Sequence, residues 1–120
     1  MKKYKNSKEV DQRNHAIKQL KYRWRIDLTE SEYKRICKYI GDAPNKDKYI
    51  WDDKTEIELL DKQTNRKYVY RFKYQSKNMI VIWDKSRRQI ATFLPKTVKS
   101  VNDIEYMKYK ELYEGIENFN

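Results

Sequence analysis

The sequence predicts a single α+β domain in which two N-terminal helices precede a four-stranded antiparallel sheet and a C-terminal helix. Three patterns carry this prediction. Thr29 and Glu32 have capping-box spacing ahead of an apolar stripe. Residues 68–74 alternate between aromatic and mostly basic side chains, as in a strand, and residues 101–117 carry apolar side chains at helical spacing. The predicted strands are joined only by short turns, so neighbours should run antiparallel.

The first helix is predicted over residues 7–25. Asn6 and Glu9 have the spacing of a capping box, so residues 1–6 are expected to form a flexible basic lead-in. Apolar residues then recur at helical spacing: Val10, Ile17, Leu20 and Trp24. The other side of the helix carries basic residues and should stay exposed: Arg13, Lys18, Lys21, Arg23 and Arg25.

The second helix is predicted over residues 29–40. Leu28 and Tyr33 fit the hydrophobic staple that accompanies the Thr29 capping box, and Gly41 supplies a stop signal. Residues 42–54 are predicted to form a loop whose apolar centre, residues 49–51, packs on the core.

The sheet is predicted over residues 55–94, with strands at 57–60, 68–74, 79–83 and 89–94 and Pro95 as the terminator. The aromatic side of the second strand should face the helices: Tyr68, Tyr70, Phe72 and Tyr74. The C-terminal helix, residues 101–117, is predicted from the spacing of Ile104, Met107, Leu112, Tyr113 and Ile116.

Length and composition favour one domain over residues 1–120, with helices and sheet in 7–99 and the last helix in 100–120. Charged residues make up 38% of the chain, yet 17 aromatic residues supply core volume that a disordered chain would lack. Cys37 is the single cysteine, so a reducing cytoplasm is the expected setting. No apolar run follows the basic N-terminus, which argues against a signal peptide, and no stretch has transmembrane length.

The positive charge is concentrated in segments. Residues 66–99 hold ten Lys and Arg against one acid, Asp84, so their net charge of +9 nearly equals the +10 of the whole chain. Residues 1–26 carry +7, whereas residues 27–65 and 100–120 carry −3 each. Like charges on neighbouring strands destabilise a sheet, so this concentration indicates a polyanionic partner, most simply nucleic acid bound on the sheet.

Several kinds of catalytic site lack the residues they need. One histidine and one cysteine cannot form a structural zinc site, and two glycines cannot build a phosphate-binding loop. His15 has no partners for a nucleophilic triad, and the basic stretch lacks the clustered carboxylates of a two-metal nuclease. We expect no metal and no cofactor. Acid–base chemistry on RNA remains, because the ribose 2′-OH itself can attack the neighbouring phosphate.

Three segments together resemble a known group: RWRIDLTESEYKRICKYI, YRFKY and IVIWDKSRRQIATFLP. They are similar to small phage-type proteins of the barnase–EndoU–colicin–RelE (RelE/ParE-like) ribonuclease fold, over roughly residues 23–95. The resemblance implies an active site on the sheet face away from the helices. It also implies a toxin-like, metal-independent endoribonuclease acting on RNA, such as tRNA or ribosome-associated mRNA, with an antitoxin protein as a second partner.

The resemblance assigns catalytic roles to Arg71 and Lys73, which should hold and protonate the scissile phosphate, and to Thr92, which should hydrogen-bond it. Neighbouring positive charge should favour proton transfer from Lys73. The sheet has no histidine, so His15 on the first helix is added because it titrates near neutral pH. The expected nucleic-acid contacts are Arg23, Arg25, Lys67, Lys85, Arg87, Arg88 and Lys96.

Simpler interpretations remain open at this stage. Arg71 and Lys73 could be a solvated strand face, and Thr92 could serve packing alone. The protein would then be a non-catalytic nucleic-acid-binding module, or a phage effector that binds and inhibits a host protein. A nucleic-acid mimic is excluded, because it would need an acidic surface.

Overall fold

The structure is a computed structural model that describes residues 2–43 and 47–94, with side chains from Lys8 onward. Two helices pack on a five-stranded antiparallel sheet whose strands lie in chain order. The α+β class is therefore confirmed. The elements are α1 (Lys2–Trp24), α2 (Glu30–Asp42), β1 (Lys48–Asp52), β2 (Thr55–Lys62), β3 (Lys67–Tyr74), β4 (Lys77–Asp84) and β5 (Gln89–Phe93).

The prediction of four strands was wrong, because the segment taken as a loop contains β1. Its side chains alternate in exposure, and Tyr49 pairs with Ile57 of β2 in antiparallel register. The Asp52 carboxylate accepts a hydrogen bond from the Lys54 N–H (2.8 Å) and closes the β1–β2 turn. Tyr49 and Trp51 pack against the core, as expected for the centre of this segment.

The capping box of α2 is confirmed, whereas the start of α1 was misplaced. The Thr29 N–H donates to the Glu32 carboxylate (2.8 Å), and the Glu32 N–H donates to the Thr29 hydroxyl (3.1 Å). The first helix begins at Lys2 rather than at residue 7, because lysines favour helix strongly enough to continue it through Asn6. It ends at Trp24, and Arg25 follows in the left-handed conformation (φ 58°).

The two faces of the sheet differ. On the helix face, the β3 aromatics pack as predicted: Tyr70 and Phe72 are buried in the core, and Tyr68 and Tyr74 lie against it. The helices contribute Ala16, Leu20, Trp24, Tyr33, Ile36, Cys37 and Ile40 to the same cluster. The opposite face carries the intervening residues, which include Glu56, Glu58, Val69, Arg71, Lys73, Ile80, Ile82 and Thr92.

The free edge of β5 is closed by helix side chains. An unpaired strand edge presents backbone N–H and C=O groups that invite association with other chains. Here α1 and α2 bind those groups directly. The contacts are Gln19 Oε1 with the Phe93 N–H (2.9 Å), Arg23 Nη1 with the Phe93 carbonyl (2.7 Å), Trp24 Nε1 with the Leu94 carbonyl (3.0 Å) and the Tyr33 hydroxyl with the Ile90 carbonyl.

The predicted C-terminal helix, residues 101–117, and Lys96 lie outside the described residues. Within the described ranges, neither helix has the length and apolar character needed to cross a membrane.

Gln19→Leu tests the closure of the β5 edge. The substitution keeps the size of a buried side chain but leaves the Phe93 N–H without a partner. We expect the free energy of unfolding to fall by about 1–3 kcal/mol, the penalty for an unsatisfied buried donor. Urea denaturation measures it, with Lys18→Leu at the adjacent exposed position as the control. Equal stability of the two variants would contradict this role for Gln19.

Candidate nucleic-acid interface

Two basic turns meet at one end of the sheet. In an antiparallel meander, alternate turns lie at the same end, so the β2–β3 turn (residues 63–66) lies beside the β4–β5 turn (residues 85–88). A backbone hydrogen bond joins them, from the Lys85 N–H to the Arg66 carbonyl (2.7 Å). Arg66 Nε also donates to the Ser86 hydroxyl (2.9 Å). The charges of both turns therefore belong to one surface.

Tyr68 organises the cations at this end. Lys85 Nζ donates to its hydroxyl (3.2 Å) and lies 5.3 Å from its ring centroid. Lys62 Nζ lies 5.6 Å from the same centroid. Both distances fit cation–π contacts, which hold lysine ammonium groups near a ring without neutralising them. We call Lys62, Arg66, Lys67, Tyr68 and Lys85 the sheet-end cluster.

The β2–β3 turn is fixed by one threonine. The Thr64 hydroxyl accepts hydrogen bonds from the N–H groups of Arg66 and Lys67, both at 3.0 Å. The Gln63 N–H donates to the Lys67 carbonyl (3.0 Å). Because the backbone is held in this way, the Arg66 and Lys67 side chains project from a defined position.

The sheet-end cluster contains four cations: Lys62, Arg66, Lys67 and Lys85. None of them forms an ion pair with a carboxylate in the part of the chain that the structure describes. All four are exposed, whereas the Tyr68 ring is half-buried. An anion can therefore approach them without first displacing a carboxylate of the described chain.

Arg71, the first predicted catalytic residue, is instead buried among carboxylates. Its exposed fraction is 8%, and its guanidinium donates to Glu56 (2.6 Å), Glu58 (3.0 Å) and the Asn78 side-chain carbonyl (2.7 Å). The hydrogen bond from Arg71 holds the pKa of Glu56 below its ordinary value. The guanidinium is already engaged and is not open to a phosphate. We call Glu56, Glu58, Arg71, Lys73 and Asn78 the buried-arginine cluster.

Lys73 and Thr92 are not brought together. Lys73 Nζ lies 3.9 Å from the Glu56 carboxylate and is mostly buried. Thr92 lies opposite Ile82, two strands away from β3, so its backbone is about 10 Å from that of β3. Ile80 and Ile82 of β4 separate the two positions. The predicted set of Arg71, Lys73 and Thr92 is thus interrupted by apolar side chains.

The helix residues of the prediction lie elsewhere. A ring nitrogen of His15 contacts the Gln19 side chain (2.8 Å) on α1, whose apolar residues pack on the sheet face opposite to Arg71 and Lys73. Arg23 was predicted to be exposed, but it is half-buried because it donates to the backbone of β5. Arg25 is exposed at the end of α1.

The arginines of the β4–β5 turn are both paired. Arg87 Nη1 donates to Asp84 (3.0 Å), and Arg88 Nη2 donates to Asp42 of α2 (3.0 Å). Burial raises the pKa of Asp84, but hydrogen bonds from Gln12 and Arg87 outweigh it, so the net pKa lies below the ordinary value. Of the predicted contacts on the sheet, Lys67 and Lys85 are therefore the open ones.

Lys62, Arg66 and Tyr68 were not predicted as site residues. A topological signal was present, because a meander places its second and fourth turns at one end and both turns here are basic. Counting charge along the sequence concealed this arrangement, because it did not show that carboxylates of β2 neutralise Arg71 and Lys73 in the middle of the sheet.

Arg71→Met removes the charge that joins Glu56 to Glu58. At pH 7 the two carboxylates then lose their shared cation, and we expect the free energy of unfolding to fall by about 2–4 kcal/mol. The expected loss is somewhat smaller than for a fully buried pair, because the Glu58 side chain is 39% exposed. Urea denaturation measures the loss. Lys67→Met, at an exposed position on the same side of β3, is the control.

The loss of unfolding free energy in Arg71→Met should depend on pH in a definite direction. In the wild type, the lowered pKa of Glu56 stabilises the fold above the carboxyl's unfolded-state pKa, and this contribution disappears as pH falls through the folded-state value. The deficit of Arg71→Met should therefore be largest at neutral pH and shrink as the carboxylates are protonated. A deficit that stays constant across the acidic range would contradict the ion cluster.

Comparison with known proteins identifies no relative. A scan of protein-family models, a search of curated proteins and a search of solved structures find no match to this chain.

Proposed function

We propose that this protein binds RNA through the sheet-end cluster. The observation that carries the proposal is the set of four exposed cations, unpaired within the described chain, around a half-buried tyrosine. Phosphate contacts supply most of the affinity of sequence-independent nucleic-acid binding, and lysine and arginine make those contacts. The net charge of +10 adds long-range attraction for a polyanion.

RNA is favoured as the polyanion by the resemblance of residues 23–95 to RNA-directed proteins. Single strands can also follow a cationic surface past an aromatic ring, and the sheet-end cluster places Lys62 and Lys85 beside Tyr68. The cytoplasm is the setting we propose, supported by a single cysteine whose thiol is buried. Burial raises the pKa of Cys37 to about 11, which keeps the thiol protonated.

Two triple variants with equal charge test the interface. Lys62→Gln/Lys67→Gln/Lys85→Gln removes three charges from the sheet-end cluster. Lys18→Gln/Lys54→Gln/Lys77→Gln removes three exposed charges from elsewhere. Each neutralised phosphate contributes about 0.7 to the salt slope, so the first variant should lose about 100-fold in affinity at 0.1 M salt and about 2 units of slope. Fluorescence anisotropy with a labelled single-stranded RNA of mixed sequence measures both quantities.

The control variant separates a local site from overall charge. It should bind RNA within a few-fold of the wild type, with nearly the same slope. Equal losses in the two variants would mean that net charge alone governs binding, which would contradict the proposed site. Tighter binding of duplex DNA than of RNA would contradict the choice of polyanion. Absence of binding to either would favour a protein target or a protein antitoxin.

Metal-independent RNA cleavage is a second candidate, favoured by the position of Glu56 between two cations. Its carboxylate lies 2.6 Å from Arg71 and 3.9 Å from Lys73, and its lowered pKa keeps it ionised at neutral pH. An ionised carboxylate can accept the proton of a ribose 2′-OH, and the Lys73 ammonium can stabilise the charge that develops on the phosphate.

Cleavage is tested with Lys73→Met and a pool of RNA in excess EDTA. Arg71 is unsuitable for this test, because its removal disturbs the ion cluster that holds β2 to β3. If the sheet face is catalytic, Lys73→Met should lose about 10²–10³ in rate while binding RNA normally. Lys77→Met, on the following strand, should retain the wild-type rate. Absence of wild-type cleavage would contradict this candidate and leave the binding proposal standing.

A further inference from the structure

The sheet has two edges, and within the described residues the helices close only the β5 edge. The strand β1 has β2 on one side and no described strand on the other. An open edge presents a row of N–H and C=O groups that can pair with another chain. Ile50 lies in the middle of β1 and has an exposed fraction of 54%, so an apolar side chain marks this open edge.

The register of β1 with β2 identifies the backbone groups that face outward. The Leu59 N–H donates to the carbonyl of Asp47, which lies opposite it, so these two residues form a hydrogen-bonded pair (2.8 Å). Such pairs alternate with non-hydrogen-bonded pairs along antiparallel strands. The N–H and C=O groups of Tyr49 therefore point toward β2, whereas those of Lys48 and Ile50 point toward the open edge. A strand added here would pair with Lys48 and Ile50.

We propose that β1 pairs with β1 of a second copy of this chain, in antiparallel register with Ile50 opposite Ile50. The outward N–H and C=O groups of the two Ile50 residues would then bond to each other, as in a hydrogen-bonded pair. On either side, Lys48 would lie opposite Asp52 of the second copy, and Tyr49 would lie opposite Trp51. Two five-stranded sheets would thus join into one sheet of ten strands.

The side chains of β1 are complementary to themselves in this register. Lys48, Ile50 and Asp52 are exposed, and they alternate with Tyr49 and Trp51, which pack on the core. The exposed side of the proposed pairing therefore carries a central isoleucine pair between two lysine–aspartate pairs. Opposite charges directly across an antiparallel pair stabilise it, and like charges destabilise it. A parallel pairing about the same centre would place Lys48 beside Lys48, so the charges favour the antiparallel dimer.

The Asp52 carboxylate keeps acceptor capacity for this contact. It accepts a hydrogen bond from the Lys54 N–H, and a carboxylate has two oxygens with about four lone-pair sites. The pairing of β1 with β2 has a β-bulge between Ile50 and Asp52, yet the side chains of β1 keep alternating in exposure through Asp52. Lys48 and Asp52 therefore lie on the same side of β1.

Aromatic side chains beside the edge would extend the interface on the helix face. Tyr39 of α2 has an exposed fraction of 46%, and its ring centroid lies 5.7 Å from that of Trp51. The Trp51 ring in turn lies 5.2 Å from the Tyr49 ring. Directly opposite residues of an antiparallel pair share one face, so both copies would present these rings on the same side. Aromatic residues are enriched at protein interfaces, and these add area to a strand of only five residues.

Sedimentation equilibrium and amide hydrogen exchange on the full-length chain test the dimer and its register. The measured mass should rise from that of one chain toward that of two as concentration increases. Over the same range, the Ile50 N–H should come to exchange several-fold more slowly, whereas the Tyr49 N–H should be protected throughout because it faces β2. A mass of one chain at every concentration would overturn the proposal. A dimer in which the Ile50 N–H exchanges as fast as in the monomer would also overturn it.

Charge reversal provides an independent test with a rescue. Lys48→Asp and Asp52→Lys each place like charges across the pair, so each variant alone should dimerise at least about 10-fold more weakly than the wild type. A mixture of the two restores both opposite-charge pairs and should form mixed dimers. Lys77→Asp makes the same change at an exposed position of β4 and should dimerise like the wild type. A mixture that stays monomeric, or an equal loss in Lys77→Asp, would contradict the proposed register.

A backbone variant tests the same edge without changing the β1–β2 turn. Ile50→Pro removes an outward N–H and leaves the groups of Tyr49 that face β2, and edge strands tolerate proline at such positions. It should abolish the dimer while unfolding in urea as the wild-type monomer does, and Ile50→Val, which keeps the N–H, should dimerise normally. Dimerisation of Ile50→Pro at wild-type strength would overturn the proposal. Because these measurements need no nucleic acid, the inference does not depend on the proposed function.

Discussion

The hydrogen bonds between the helices and the free edge of β5 are the constraint on which the described fold depends. Gln19, Arg23 and Trp24 bind the backbone at residues 93 and 94, and Tyr33 binds it at residue 90. Four side chains from two helices thus replace the neighbouring strand that an edge strand lacks. Because these contacts fix α1 and α2 along the same strand, they also determine which face of the sheet becomes the main core.

The distribution of charge follows from the same architecture. A sheet face can carry cations only where carboxylates on the next strand neutralise them, and Glu56 and Glu58 do this for Arg71. At the end of the sheet, Lys67 lies opposite Asp84, but that carboxylate pairs with Arg87. Lys62, Lys67 and Lys85 are exposed there and have no carboxylate partner among the described residues. Breaking a buried ion pair leaves an uncompensated charge, so the main role of Arg71 is to stabilise the fold.

Local patterns predicted the fold well where local interactions decide the structure. The capping box at Thr29 and the alternation of Tyr70 and Phe72 both depend on residues near in sequence, and both are confirmed. The strand β1 was missed because its five residues lie between turn-forming segments, so the local sequence indicates a loop. Its strand character becomes evident only from its pairing with β2. The partners of Arg71 were missed for a related reason. The two carboxylates come from β2, 13 and 15 residues earlier, through a register that composition does not encode.

Gly41 on α2 has an effect on the charge of a distant turn. A Cβ atom at this position would lie 2.7 Å from Nη2 of Arg88, closer than such atoms approach. Arg88 is the flexible partner and would move, which would break its contact with Asp42. Any larger residue at position 41 would thus release a cation beside the sheet-end cluster. In divergent sequences, the size of the residue at position 41 and the identity of residue 88 should therefore change together.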